Sequence, residues 1–360
     1  MITSHSYEGR YWQDIAIDFE QRPEKLGFLS LSKFPLPKWA KNHTHVKYLA
    51  LDQNSSFNVF TPVRIFKRTK SFQPDVIQTH LFRAGLAGLL LGRILRVPVV
   101  VTRHHIDEHV QSGSLIHRYL DRITIKLADA VIVRSAAAKN WLITNEKGDP
   151  EKIFIVNQGF DFQLLAPTNL EIEVAKKELG FHDTDINLLC VARYSPTKGQ
   201  EYLLKAIASL TQTFPNLRLT FVGPGDSKWL SDLVHQLNLE NITRIFSTRG
   251  DIPACLAAAD LVVHPSLVDS FSQLLIEVQA VGTAVIATDI AAASEQIADG
   301  ISGIIVPPRN HSALASAIEK LYLDPRLRER MGKEGARLVR EKYQVQEMVE
   351  KDLRVLRSIL

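Results

Sequence analysis

The sequence predicts an α/β protein made of two doubly wound, parallel-sheet domains, and three observations predict it. Short apolar runs alternate with helical patterns along the chain. Most of those runs are rich in Val, Ile and Leu and apolar on both faces, as parallel strands covered on both sides must be. The alternation occurs twice, on either side of a turn-rich polar stretch at 159–173, "GFDFQLLAPTNLEIE", and 360 residues suffice for two separate cores.

In the first half the strand candidates are "GFLSL" (27–31), "VKYLAL" (46–51), "DVIQTH" (75–80), "VPVVVT" (97–102), "AVIVR" (130–134) and "KIFIV" (152–156). In the second half they are "NLLCVA" (187–192), "RLTFVG" (218–223), "TRIF" (243–246), "LVVH" (261–264), "AVIAT" (284–288) and "GIIV" (303–306). Helical patterns such as "RAGLAGLLLGRIL" and "GQEYLLKAIASLTQTF" lie between them. The start is unusual. Only eight residues precede Gly9 and "MITSH" is a poor strand, so either the first strand is very short or the chain begins late. The expected division is 1–165, 166–344, and a final helix over 345–360 that crosses back to the first domain.

Apolar residues at 45% and charged residues at 23% fit a soluble globular protein. Two cysteines, Cys190 and Cys255, lie in apolar runs and leave no disulfide framework, which fits a cytoplasmic protein with inert buried thiols. "MITSHSYEGR" has no apolar leader segment. The most membrane-like run, Ala84 to Val101, is interrupted by Arg93, Arg96 and Pro98 and reads as a buried helix and strand.

The net charge of +4 is unevenly placed: residues 1–165 carry 22 Lys and Arg against 15 Asp and Glu, and the remainder 21 against 24. The basic half includes "VRIFKRTK" (63–70), read either as a solvated helix face or as a face for anionic lipid or an anionic acceptor. No binding motif accompanies the charge, which argues against nucleic acid.

Ligands of open α/β sheets sit at the carboxyl ends of strands. After "NLLCVA" comes "RYSPTKG", where Arg193 and Lys198 share a loop beside a helix N-terminus, an arrangement that suits a diphosphate and also suits plain surface charge. After "RLTFVG" comes "PGD"; Gly223 and Gly225 permit close backbone approach or simply a turn. After "LVVH" comes "PSLVDSFSQLLIEVQAVGTAVIATD". Ser270 and Gln273 have capping-box spacing, predicting a helix start near Phe271 with Asp269 outside it. Glu277 then lies about two turns in, within an apolar run, where a carboxylate needs sugar hydroxyls or a neighbouring Arg as partner.

Together these segments resemble the retaining glycosyltransferases of family 4. The family pattern runs R-x4-K-G, V-G-x-G, then P-S-x-x-E-G-F-G-x4-E, and this chain has "RYSPTKG", "VGPGD" and "PSLVDSFSQLLIE" in that order. In the first half "THLFRAGLAGLLLGRILRVPVVVTRHH" resembles the family's strand–helix–strand ending in T-x-H, and "VNQGFDF" its N-G-x-D segment with Gln158 inserted. The resemblance implies the GT-B fold, two Rossmann-like domains facing across a cleft, and transfer from a nucleoside-diphosphate sugar with retention and without a metal or cofactor. Arg193 and Lys198 would hold the diphosphate. Backbone N–H groups of Phe271, Ser272, Gln273 and Leu274 would assist, with Gly9, Gly223 and Ser270 also lining the donor site. Glu277 would take the ribose hydroxyls, Asp269 the donor sugar, and His104 would face the reacting sugar.

Asp269 replaces the family's Glu, and Ser270 and Ser272 replace the two glycines flanking the Phe, which shifts donor choice or reduces activity. The acceptor implied is a glycan or lipid-linked molecule in cell-surface synthesis, with peripheral contact at the inner face of an anionic membrane. A sugar-nucleotide epimerase and a catalytically weak nucleotide-sugar-binding partner stay open as alternatives. The spacing His105-Ile106-Asp107-Glu108-His109 spells a zinc H-x-x-E-H, but His105 comes three residues after a predicted strand rather than on a helix, so no metal site is expected.

Overall fold

The computed structural model describes residues 1–3, 10–31, 46–48, 61–104, 115–290 and 293–360. The chain forms two compact units, Met1–Asp161 with Tyr343–Leu360, and Phe162–Lys342.

Unit 1 contains β1 (Ile2–Thr3), α1 (Arg10–Phe19), β2 (Leu26–Ser30), β3 (Val46–Tyr48), α2 (Thr61–Phe72), β4 (Ile77–His80), α3 (Phe82–Leu95), β5 (Val99–Arg103), α4 (Leu115–Leu127), β6 (Ala130–Val133), α5 (Ala136–Glu146) and β7 (Ile153–Ile155). Its seven strands pair in the order β3-β2-β1-β4-β5-β6-β7, all parallel. The poor strand at the start is real but only two residues long. Ile2 and Thr3 still pair with both Leu29–Ser30 and Thr79–His80, so β1 sits where the strand order reverses. On α2, Ile65 and Thr69 are buried while Lys67, Arg68 and Lys70 are exposed, so four-residue spacing turns the basic residues outward.

Unit 2 contains α6 (Asn169–Leu179), β8 (Ile186–Val191), α7 (Gln200–Leu210), β9 (Leu217–Val222), α8 (Lys228–Gln236), β10 (Thr243–Phe246), α9 (Ile252–Ala258), β11 (Leu261–His264), α10 (Gln273–Ala280), β12 (Val285–Thr288), α11 (Ala293–Gln296), β13 (Ile304–Val306), α12 (His311–Leu323) and α13 (Pro325–Lys342). Its six parallel strands run β10-β9-β8-β11-β12-β13. α6 opens on a complete capping box, Thr168 with Glu171. Both cysteines are buried, and burial pushes the Cys190 thiol up to about 12 and that of Cys255 to about 11, so neither is nucleophilic at neutral pH.

The chain leaves unit 1 between Asp161 and Phe162 and returns between Lys342 and Tyr343, a few residues before the 165/166 and 344/345 positions read from turn chemistry. Phe160 bridges to Gln344, whereas Phe162 is buried beneath the Arg340 guanidinium, 5.4 Å from its ring centre, and Leu165 is buried too. α14 (Val345–Arg357) then packs Val345, Met348, Val349, Leu353 and Leu356 against Tyr11, Trp12, Ile15 and Phe19 in one apolar cluster. Among the described residues no helix is long and apolar enough to cross a membrane.

Unit 1 buries an unbalanced charge cluster. Arg103, at the end of β5, donates to Asp121 of α4 and, at 3.0 Å, to Glu146 of α5. Two carboxyls share one guanidinium away from water, and burial raises Glu146 from 4.5 to about 7 even though Arg103 opposes the shift. The folded state therefore binds this proton more tightly than the unfolded chain does. Stability is greatest below about pH 4.5 as far as Glu146 is concerned, and falls as pH rises through 7. Glu146→Gln keeps an acceptor for Arg103 and removes the titration. The variant is expected to match the wild type near pH 4.5 and to exceed it by at most about 3 kcal/mol at pH 8, read from denaturant midpoints. A constant difference across that range would refute this account.

Candidate functional site

Both sheets reverse strand order beside their first strand, and that is where an open parallel sheet leaves a crevice at its carboxyl edge. In unit 2 the crevice lies beyond β8 and β11. After β8 the chain makes a single 3-10 turn, Pro196–Lys198, with Pro at its first position and Gly199 closing it at φ +66°. A Cβ on Gly199 would lie 2.0 Å from the Pro265 carbonyl oxygen, so only glycine lets this turn pack against the loop that follows β11. Leu267 N–H donates to the Thr197 carbonyl at 2.8 Å and pins the two loops together.

That packing brings Lys198 Nζ to 3.3 Å from Asp269 Oδ2, with side chains 25% and 20% exposed. His264, the buried last residue of β11, places Nε2 3.7 Å from the same carboxylate oxygen and 3.3 Å from Ser272 Oγ. Burial alone would raise the Asp269 pKa. The neighbouring His264 ring and the attraction of Lys198 outweigh it and hold the carboxyl below the usual range. Asp269 is thus a fixed anion sandwiched between two potential donors. Arg193 is exposed on the same loop, and its carbonyl accepts from Gln200 Nε2 at 2.9 Å. Gly223 faces inward: a Cβ there would meet the Ala192 carbonyl oxygen at 1.9 Å, so its missing side chain serves loop packing.

Gly199→Ala forces a side chain into both the left-handed region and the Pro265 carbonyl. The expected cost is about 2–4 kcal/mol of stability, measured by chemical denaturation. A loss under about 0.5 kcal/mol would mean that the loops separate freely.

The start of α10 departs from the sequence reading. The helix begins at Gln273 with Ser272 as its N-cap, and Ser272 makes no side-chain capping bond. The Ser272 hydroxyl turns to His264 instead. Ser272 N–H is also committed, donating to Gln296 Oε1 at 3.1 Å, while Gln296 Nε2 donates back to the Ser272 carbonyl at 2.9 Å. This N–H therefore does not face a ligand, unlike the expected backbone donor. Neither Ser270 nor Ser272 has a positive φ, which is why serine is tolerated in place of glycine. Both are buried; Phe271 and Leu274 are half-buried and Gln273 is exposed. Glu277 is the fifth helical residue, closer to the N-terminus than expected, and half-buried. His264 and Gln296 escaped sequence reading. The strand-end rule applied to the last residue of β11 would have found the first; Gln296 comes from α11 with no local signal.

In unit 1, His104 follows β5 and is half-buried, and His80 ends the neighbouring β4, fully buried. Their rings share a hydrogen bond, His80 Nδ1 to His104 Nε2, at 2.9 Å. Tyr11 stands edge-on to both rings, with centroids at 6.0 and 5.7 Å, and Trp12 stands edge-on to His80 at 4.7 Å. Arg134 donates to Tyr11 Oη and to the Val156 carbonyl, and Asn157 Nδ2 donates to the Arg134 carbonyl. Gly9 and the His105–His109 spacing lie outside the described residues.

Known proteins share this arrangement. The Glycosyl transferases group 1 family matches residues 171–338, and Glycosyltransferase Family 4 matches residues 32–164. The D-inositol 3-phosphate glycosyltransferase of Corynebacterium glutamicum (strain R) is 28% identical over 75% of this chain and 69% of its own length. That of Corynebacterium aurimucosum is 30% identical over 74% and 68%. HepE of Anabaena, solved in complexes with UDP and with UDP-glucose, aligns at TM-score 0.81 and 22% identity over 99% of this chain and 98% of its own. The two parallel sheets, the strand-end loops and these matches converge: the chain belongs to glycosyltransferase family 4 and is a glycosyltransferase of the GT-B fold.

Proposed function

We propose that this glycosyltransferase moves a sugar from a nucleoside-diphosphate sugar to an acceptor hydroxyl with retention of anomeric configuration, without a metal or organic cofactor. The observation that carries this reading is the Lys198–Asp269–His264 group, held at the carboxyl edge of β8 and β11 by loop packing that Gly199 permits. Lys198 and the exposed Arg193 supply the positive charge that a departing diphosphate needs. Asp269 accepts hydroxyls of the donor sugar, and Glu277 on α10 accepts the ribose hydroxyls. N–H groups at the α10 N-terminus other than that of Ser272 add to the phosphate site. The acceptor oxygen attacks on the face from which the diphosphate leaves; a phosphate oxygen takes its proton as the glycosidic C–O bond to phosphate breaks. His104 is the unit 1 residue assigned to the sugar.

HepE binds UDP and UDP-glucose, and the named relatives act on an inositol phosphate. Both facts favour a nucleotide-sugar donor and an anionic acceptor here, with unit 1, the basic part of the chain, taking a glycan or lipid-linked molecule in cell-surface synthesis. Such an acceptor would place the protein in the cytoplasm at the inner membrane face.

The test is incubation with a panel of nucleotide sugars and phosphorylated or lipid-linked acceptors, with and without a chelator. Diphosphate release, and a product whose anomer matches the donor by NMR, are expected. Interconversion of free nucleotide sugars would indicate an epimerase instead. A second reading, a nucleotide-sugar-binding partner with little turnover, is favoured by one observation: the Ser272 N–H is occupied by Gln296. Tight donor binding with no release in any acceptor mixture would establish that reading.

A further inference from the structure

We propose that Gln296 is a positioning residue for the donor sugar: its side-chain amide fixes the Ser272 backbone and, through His264, the place of the Asp269 carboxylate. Gln296 thereby governs selectivity among donor sugars. The proposal rests on the reading of Asp269 as the acceptor of donor-sugar hydroxyls; the clamp on Ser272 stands without it. Gln296 comes from α11, 24 residues after Ser272, and both side chains are buried. Its Oε1 accepts from the Ser272 N–H at 3.1 Å, and its Nε2 donates to the Ser272 carbonyl at 2.9 Å. The two bonds grip one residue on either side of its Cα, as the paired residue of a neighbouring antiparallel strand would. Both backbone dihedrals of Ser272 are thereby set, at φ −95° and ψ 110°, immediately before the helix begins. Both ends of the amide face Ser272, so Gln296 acts through the loop and not on a ligand.

The clamp is one link in a line of polar contacts. At the inner end Gln279, fully buried on α10, donates from Nε2 to the Leu275 carbonyl at 2.7 Å and to the Gln296 carbonyl at 3.0 Å, tying α10 to α11. At the outer end the Ser272 hydroxyl lies 3.3 Å from His264 Nε2, and the same nitrogen lies 3.7 Å from Asp269 Oδ2. His264 thus registers residue 272 against residue 269. The line reaches solvent only at Asp269 and Lys198, which are 20% and 25% exposed; Gln279, Gln296, Ser272 and His264 are all buried. Burying four polar side chains costs desolvation that apolar ones avoid, and what the network provides is one geometry for the residues it joins. The aspartate side chain is short, so the reach of its carboxylate follows the loop backbone. The cation-bearing loop is secured separately, by Gly199 packing and by the Leu267 N–H on the Thr197 carbonyl. Loosening Gln296 therefore moves the sugar contact and leaves the diphosphate contact in place.

The test uses two pairs of epimeric donors, UDP-glucose with UDP-galactose and GDP-mannose with GDP-glucose, and reads the ratio of kcat/KM within each pair. Gln296→Met fills similar space without a hydrogen bond. It is expected to lower the wild-type preference about tenfold, while inhibition by UDP or GDP changes less than about threefold. Gln296→Glu retains an oxygen for the Ser272 N–H and should recover part of the preference. Circular dichroism and the unfolding midpoint verify folding; should Gln296→Met not fold, Gln296→Glu carries the same readings against the wild type. A folded variant with unchanged preference overturns the proposal. So does a loss in which preference and UDP or GDP inhibition weaken together, because that reports general loosening of unit 2. A wild type that uses both members of each pair equally overturns it as well. A crystal structure of ligand-free Gln296→Met should show the Asp269 carboxylate displaced from His264 by about 1 Å or more, and an unmoved carboxylate refutes the clamp. If neither pair turns over, that failure belongs to the transferase reading, and the crystal structure still decides the clamp.

Discussion

Lys198→Ala is expected to lower kcat by about 10²–10³-fold while changing donor KM far less. Lys198 is the cation that the loop packing holds over Asp269, and its charge matters most once a second negative charge develops on the leaving diphosphate. An interaction that strengthens in the transition state is lost from kcat, not only from binding. The variant also changes the ground state in a readable way. Asp269 loses one of the two groups that hold its pKa down and keeps only His264, so its pKa rises. Stability should barely change, because the pair is partly open to solvent and such pairs contribute little. Lys198→Arg should recover only part of the rate, since a planar fork does not replace a point charge at this distance. Arg193→Ala, removing an exposed cation, should cost less than Lys198→Ala and more at low salt than at high. Diphosphate release under single-turnover conditions is the measurement. A Lys198→Ala rate within threefold of wild type would remove Lys198 from the chemistry.

Arg134→Ala is expected to destabilise unit 1 by about 3–5 kcal/mol. Arg134 is 2% exposed. Its guanidinium donates to the Val156 carbonyl and Tyr11 Oη, lies over the Tyr11 ring, and stands 4.0 Å from Asp352 of α14. Burial raises the Asp352 pKa, and Arg134 is the charge that opposes the rise. Without it Asp352 takes up a proton or remains an uncompensated buried charge, and Tyr11 Oη loses its donor. Arg134→Met with Asp352→Leu should recover much of the loss, because an apolar pair of similar volume avoids burying charge at all. Two-transition denaturation, with the unit 1 transition moved and the unit 2 transition unchanged, is the expected result. Additive losses in the double variant would show that the two side chains do not act as a pair.

The strands were legible because each is a short Val-, Ile- or Leu-rich run that must be dry on both faces, and the runs at 243–246 and 261–264 match their strands residue for residue. Lys198 and Asp269 were legible as strand-end residues, and the structure puts them in contact. What the sequence could not display is pairing across the fold. Spacing predicted a helix start near Phe271, whereas His264 and Gln296, lying before and after the segment, draw Ser272 into a different role. In the same way His104 was singled out alone, while its partner His80 lies 24 residues earlier, at the end of an adjacent strand. Local pattern reports which residues a loop carries. Which of them are already engaged depends on register between distant strands.

The return of residues 343–360 to unit 1 has a consequence for how the protein is born. The part of the α1 apolar surface that α14 covers stays open on the ribosome until α14 emerges, after all of the roughly 180 residues of unit 2 have been made. At ordinary translation speeds that is a wait of about 10–40 s. During the wait Tyr11, Trp12, Ile15 and Phe19 lack the helix that will bury them, which makes the nascent first half a natural client for chaperones even though it is the earlier to be synthesised.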